Sequence, residues 1–322
     1  MSVEANLSRR ARWRLPEIVF WLLAFAALLL PPGRHLLLND IAILALFALS
    51  LDLILGYAGI ISLGHAAFFG AGAYAAGIFC KLVTPDPHAG LAVAIAVAAV
   101  LGALTSLLVL RGSDLTRLMV TLAVALVLHE IANALRDWTG GADGLQGMTV
   151  GPVLGAFDFD LYGRTAYAYS LTTLFVLFLL ARLIVRSPFG LSLMAIRRNP
   201  LRAAALGVPV HHRLIAAYAL GAAYAGAAGA LLAQTTGYVS LDVLEFQRSA
   251  DVLLALIIGG VGWLYGGIAG AIAFKILQDV LSSTSPQFWL FWMGIFLVVL
   301  ALVGRERLAG GVRGLVARMT RS

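Results

Sequence analysis

The chain has 322 residues, of which 61% are hydrophobic and 12% charged, and its mean hydropathy is +0.93. No water-soluble domain hides that much apolar surface, so a soluble enzyme is excluded and a polytopic membrane protein is expected. The net charge of +7 would suggest nucleic acid in a soluble chain, but in an apolar one the placement of charge matters more than its sum, and no nucleic-acid partner is expected. The single cysteine, Cys80, lies inside an apolar run and rules out an intrachain disulfide.

In chain order, Arg9, Arg10, Arg12 and Arg14 come first, followed by the apolar run Ile18 to Leu30. The run ends in Pro31-Pro32-Gly33-Arg34 with no small-residue cleavage site, so it reads as an uncleaved first span. Apolar segments are then expected at 18–36, 40–56, 66–83, 90–110, 117–135, 166–185, 214–236, 251–262, 263–281 and 288–303. Most match the ~20 residues that cross a bilayer as a helix, and the short alternating strands of a barrel are absent. The expectation is an all-α polytopic membrane protein with about 8–10 transmembrane or partly re-entrant helices. A membrane-spanning body at 17–303 would lie between basic tails at 1–16 and 304–322.

Seventeen of the twenty-one arginines fall in four places: the N-tail, the 111–117 loop, the connection Arg182 to Arg213, and the tail from Gly304. By the positive-inside rule these face the cytoplasm, which puts both termini inside and makes the number of crossings even. The intervening loops are acidic or neutral, with Asp137, Asp143, Asp158 and Asp160 in one and Asp242, Glu245 and Asp251 in another. Parity requires 251–281 to leave and return on one side. Half of that stretch reaches only about 23 Å, so short or broken helices around Gly259, Gly260, Gly262, Gly266 and Gly267 are expected. The run Gly56 to Gly64 joins two short apolar segments in the same way. Paired Gly-broken segments point to a pathway in transporters.

Three helical stripes of small residues suit close helix packing: Ala45, Ala48, Asp52 and Gly56; Ala66, Gly70, Ala73 and Gly77; Ala219, Ala222, Gly226, Gly229 and Ala233. Asp52 is costly in mid-span, so it should face the bundle or a wet cavity, opposite His65. It reads equally as a pathway or gating residue and as a structural latch. Tyr57, Ser62, His65, Glu130, Gly259, Gly260 and Gly262 complete the pathway candidates, with His129 and Glu130 placed to snorkel to the outer interface. Lys275 and Asp279 read as an i,i+4 pair.

The connection "SPFGLSLMAIRRNPLRAAALGVPV" carries a self-capped helix. Asn199 is a good N-cap, Pro200 suits the first turn, Leu201 to Leu206 complete the helix, and Gly207 then Pro209 end it. A basic, capped helix outside the membrane is shaped to meet a partner. The chain has no G-x-x-x-x-G-K-[ST] phosphate loop, no HExxH and no G-x-S-x-G. An enzyme is therefore not expected, and transport energy must come from an ion gradient or from another subunit.

Four stretches in order, "LDLILGYAGIISLGHAAFFGAGAYAAG", "TGGADGL", "FGLSLMAIRRNPLRAAALGVPV" and "LLALIIGGVGWLYGGIAGA", resemble the LivM-type permease of branched-chain amino acid ABC importers from about Leu36 to Gly311. The Ser62-to-Phe68 segment favours the LivM type over the sister LivH type. The resemblance implies a bacterial inner-membrane subunit paired with a LivH-type permease, two cytoplasmic ATPases and a periplasmic binding protein. It implies no cofactor in this chain, with ATP and Mg bound by the partner ATPases. It makes Arg197, Arg198, Asn199, Pro200, Arg202 and Gly207 the ATPase-coupling segment, within 186–213, and makes Gly140 to Gly147 and Tyr238 to Arg248 the binding-protein loops. The chain departs from the family at Asp52, where Asn is common, at Ile60, where Gln is common, and in a coupling helix without acids. The first two leave open branched-chain amino acids, urea, amides or aromatic acids. A second class of function also remains, a proton-coupled transporter acting alone through Asp52, His65 and Glu130.

Overall fold

The computed structural model describes residues 15–31 and 33–303; most of the N-terminal basic tail and all of the C-terminal one lie outside them. The expected segments become α1 (Leu15–Ala26), α2 (His35–Leu51), α3 (Ala66–Leu82), α4 (Pro87–Val109), α5 (Asp114–Ala134) and α6 (Arg164–Arg186). Next come two short helices, α7 (Pro188–Arg198) and α8 (Pro200–Ala205), and then α9 (Val210–Thr236), α10 (Phe246–Gly259), α11 (Leu264–Thr284) and α12 (Trp289–Val303). Six of these, α2 with its following turn, α4, α5, α6, α9 and α11, are long and apolar enough to cross a membrane, and 15–29 and 66–82 are shorter apolar helices. The protein is an all-α polytopic membrane protein, with no strand among the described residues beyond two isolated bridges.

Seven of the ten expected segments begin as helix two to five residues before the apolar run, because a polar or proline-containing first turn belongs to the helix although it does not belong to the hydrocarbon. Asp86 illustrates this at α4: its side chain accepts from His88 N at 2.9 Å, and Pro87 takes the first position. The first span is shorter than expected. Its α-helix stops at Ala26, a 3-10 turn follows to Leu29, and Pro31 ends the run.

The core is built on α9. Its small residues let three helices meet backbone to backbone: a Cβ at Gly229 would lie 1.9 Å from Phe69 O of α3, and one at Gly226 would lie 2.4 Å from Ala98 Cβ of α4. The stripe on α2 meets α11, where a Cβ on Gly267 would touch the Ala48 backbone at 3.1 Å. Interhelical hydrogen bonds add to this packing. Tyr169 OH donates to Gln234 Oε1 at 3.1 Å and Gln234 Nε2 to Pro87 O at 2.8 Å, while Asn39 joins Thr235 and Ser170. On the flank, α1 lies against α6 through Trp21, Phe175 and Phe178, and Glu17 Oε2 pairs with Arg182 Nη1 at 2.5 Å.

Two segments pass between helices as irregular backbone, the first of them where the glycine pattern suggests. After α2, residues 58–65 climb into the bundle without helical structure, and α3 begins there, its Ala66 N bound to Ser249 Oγ of α10 at 2.9 Å. After α9, residues 237–245 descend, packing Leu244 against Gly70, and α10 begins. At fourteen residues, α10 is only about 21 Å long, short of a ~30 Å core. Irregular backbone at this depth is tolerable because protein surrounds it.

The expectation for 251–281 is corrected in length. The two helices run from 246 to 284 around a turn at 260–263, so α11 is a full span and only α10 is short. Gly259 and Gly266 make the pair possible, since a Cβ on Gly259 would fall 1.7 Å from Gly266 O. The expected Lys275–Asp279 pair is also corrected, because Lys275 Nζ instead reaches Asp40 Oδ2 of α2 at 3.5 Å. Asp279 points outward on α11 and is exposed, whereas Lys275 faces the neighbouring helix.

Candidate functional site

The site forms at the bundle end that carries α7 and α8. Between α2 and the 58–65 segment, Asp52–Tyr57 is one turn of π-helix, the wider winding that recurs at functional positions. Ile60 N continues it by donating to Ile54 O at 3.1 Å. Asp52 is fully buried, and its Oδ1 accepts from Gly262 N at 2.6 Å. The carboxylate thus pins the π-turn to the α10–α11 turn, where Gly260 and Gly262 take φ values of 106° and 83° that favour glycine.

Arg197, near the end of α7, completes the junction. Its Nη1 donates to Gly56 O and lies beside Gly262. Gly56 has no room for a side chain, because a Cβ would meet Asp52 Oδ1 at 2.0 Å and Gly262 N at 2.7 Å. Tyr57 is buried and lines a crevice with Phe189 and Leu193 of α7. Four sequence candidates (Asp52, Tyr57, Gly262 and Arg197) therefore meet in one place, and they tie α7 to both glycine-broken segments.

The sequence pairing of Asp52 with His65 does not form. His65 is fully buried, its Nε2 lies 2.7 Å from Ser50 Oγ, and its ring stacks on Phe47 with centroids 5.4 Å apart and an interplanar angle of 7°. Asp52 Oδ1 is bonded to Gly262, and its Oδ2 is buried without a hydrogen-bond partner. Ser62 is buried between these two regions, and Gly259 is at the α10–α11 crossing. Glu130 is exposed on α5 and does not join the cluster. Ser50 and Ser249 were not sequence candidates: a lone serine in an apolar helix carries no pattern that separates a cross-helix partner from a local one.

The α7–α8 segment takes the expected capped form. Asn199 Oδ1 accepts from Arg202 N at 2.9 Å, Pro200 opens α8, and Gly207 follows it at φ 83°. The helix ends at Ala205, one residue before the expected Leu206. Arg198, Arg202, Leu201 and Leu206 are all exposed, so α8 presents an apolar and basic surface. Arg197 is exposed like its neighbours, but its Nη1 reaches inward to Gly56 O. Replacing Asn199 with alanine should cost α8 about 1 kcal/mol. Hydrogen exchange of the 201–206 amides should quicken about five-fold while the membrane helices keep their protection.

A family model described as branched-chain amino acid transport system, permease component, matches residues 35–303. The chain is 26% identical over 294 residues to the high-affinity branched-chain amino acid transport system permease protein LivM of Escherichia coli K12, covering 83% of this chain and 68% of that protein. It is 26% identical over 254 residues to the probable branched-chain amino acid transport permease protein LivH of Methanocaldococcus jannaschii, 74% of this chain and 77% of that one. The galactose/methyl galactoside import permease protein MglC of Salmonella typhimurium is 25% identical over 237 residues, 70% and 69%. The chain thus spans about two thirds of the length of LivM, and no solved structure matches it significantly. Since the family match runs from α2 through α12 and takes in the π-turn, the α7–α8 segment and the α10–α11 turn, the chain belongs to the permease components of branched-chain amino acid transport systems.

Proposed function

We propose that the chain is one half of the translocation pathway of an ABC importer in a bacterial inner membrane, carrying branched-chain amino acids or a related small polar solute. A LivH-type permease is the other half, two cytoplasmic ATPases binding ATP and Mg supply the energy, and a periplasmic binding protein delivers the solute. The end bearing α7 and α8 faces the cytoplasm, in keeping with its arginines. The loops at Gly140 to Gly147 and Tyr238 to Arg248 then face the binding protein.

The observation that carries the reading is the junction at Arg197. A surface helix that meets an ATPase must transmit its displacement to the pathway. Here α7, α8's immediate neighbour, is hydrogen-bonded to the π-turn at Gly56, and Asp52 holds that turn to Gly262. Displacing α8 would move both glycine-broken segments together. Arg198, Asn199, Pro200, Arg202 and Gly207 shape the docking surface, and Arg202 would meet acidic groups on the ATPase.

The test is co-purification of the tagged chain with the ATPases encoded beside it, followed by uptake in proteoliposomes. Uptake should require ATP, and Arg202→Glu should release the ATPases from a permease that still folds. Solute movement by the chain alone under a pH gradient would overturn the reading.

A further inference from the structure

A second cavity, of about 360 Å³, opens among α2, α3, α9, α10 and α11 toward the bundle end opposite α8. Its polar wall is unusual for a membrane protein. Asp40 and Asp251 contribute two carboxylates, Arg248 and Lys275 two cations, and Gln278 an amide. Its apolar wall is Ile43, Leu44, Phe47, Phe69, Leu232 and Phe274. Charged groups inside a membrane bundle are expensive and mark pathways. These four sum to zero, so the wall matches a ligand that is itself neutral yet carries both signs.

The charges compensate one another only in part, although Arg248 and Lys275 both lie within electrostatic reach of Asp251. Lys275 Nζ and Asp40 Oδ2 stand 3.5 Å apart, looser than a tight ion pair. Asp251 Oδ1 accepts only from Gln247 Nε2, at 3.0 Å, and the Arg248 guanidinium has no ion-pair partner among the described residues. Gln278 Oε1 is buried with no hydrogen-bond partner. Arg248 is on the first turn of α10, where the helix dipole also favours an anionic group.

We infer that this cavity is a binding site for a small zwitterion with an apolar side chain, its carboxylate toward Arg248 and Lys275, its ammonium toward Asp251 and Asp40, and its side chain against Phe47 and Phe69. The inference rests on the permease reading and adds a site within the permease itself. It also separates the two kinds of solute named among the relatives. A hexose carries hydroxyls around its ring and would bury some of them, unpaired, against the apolar side chains.

The test uses the full-length chain in phosphatidylethanolamine–phosphatidylglycerol nanodiscs, titrated with radiolabelled leucine. Leucine should bind and be displaced by valine but not by galactose. Isoamylamine and 4-methylpentanoate, each carrying half of the zwitterion, should compete about tenfold or more weaker, because a site built for a polar group rejects analogues lacking it. Arg248→Gln should erase the preference for leucine over isoamylamine, and Asp251→Asn that for leucine over 4-methylpentanoate; a merely structural role would weaken every ligand alike. Absence of leucine binding, displacement by galactose, or unchanged discrimination in both variants overturns the site. Uptake by the complete importer separates this failure from that of the permease reading. ATP-dependent leucine uptake at the wild-type rate in both variants removes the site and keeps the importer, whereas loss of ATP dependence removes the importer reading.

Discussion

Arg197→Ala is expected to leave the assembled transporter hydrolysing ATP while solute uptake falls about tenfold or more. The magnitude follows from losing one charge-assisted hydrogen bond to a carbonyl inside the bundle, a loss of about 1.5–3 kcal/mol. Arg197 is the α7 side chain that reaches Gly56 O, beside the Asp52–Gly262 contact. Without it, on the proposed coupling role, α8 would still seat in an ATPase but would no longer drag the π-turn. Arg198→Ala is the matched control, since Arg198 is exposed as Arg197 is but plays no part in the junction. Arg197→Lys should recover part of the uptake by offering a single donor to the same carbonyl. Measuring ATPase rate and uptake on the same proteoliposomes decides the matter. A parallel fall in both would mean lost assembly, and no change in either would remove Arg197 from transmission.

The second large effect is expected at Gly229. In α9, a Cβ there would sit 1.9 Å from Phe69 O and 2.9 Å from Ala73 N. Both are backbone atoms of α3, so no rotamer change relieves the clash and the helices themselves must separate. Gly229→Val should therefore cost at least the ~1–3 kcal/mol typical of overpacking, and it strikes where α9 packs on α3 and α4. Size-exclusion chromatography after solubilisation should show loss of the monodisperse species. Gly294→Ala on α12 is the counterpart, because nothing lies within 4 Å of the added Cβ. It should be neutral or slightly stabilising, as alanine is the better helix former by about 1 kcal/mol. A monodisperse, wild-type-like Gly229→Val would contradict the packing described for the core.

The membrane class, the positions of the spans and the capped α8 were legible in the sequence because each rests on local chemistry. Hydrocarbon demands long apolar runs, and Asn199, Pro200 and Gly207 act within a single turn. The break points were legible for a similar reason, as glycine clusters mark backbone that does not continue as a helix. Partners across the bundle were not. Asp52 and His65 are thirteen positions apart and both polar, which made them look like a pair; the π-turn instead rotates Asp52 toward Gly262, while His65 sits beside Ser50. A π-turn inserts a rotation that helical periodicity does not encode. Lys275 likewise has an acid four residues away, yet it chooses Asp40 on another helix. For the same reason the charged cavity was invisible. Its six polar residues come from α2, α9, α10 and α11, and no spacing along the chain connects them.

The short Glu17–Arg182 contact carries a consequence for motion. Both side chains are largely sheltered, and Trp21 wedges between Phe175 and Phe178 a turn further along. Parting Glu17 from Arg182 breaks a sheltered charge-assisted hydrogen bond, at a cost of about 1.5–3 kcal/mol. Helix α1 therefore cannot idle as a loose outrigger while its neighbour rocks. It must travel with α6 as one plank, and the lipid boundary on that side of the protein shifts with every transport cycle.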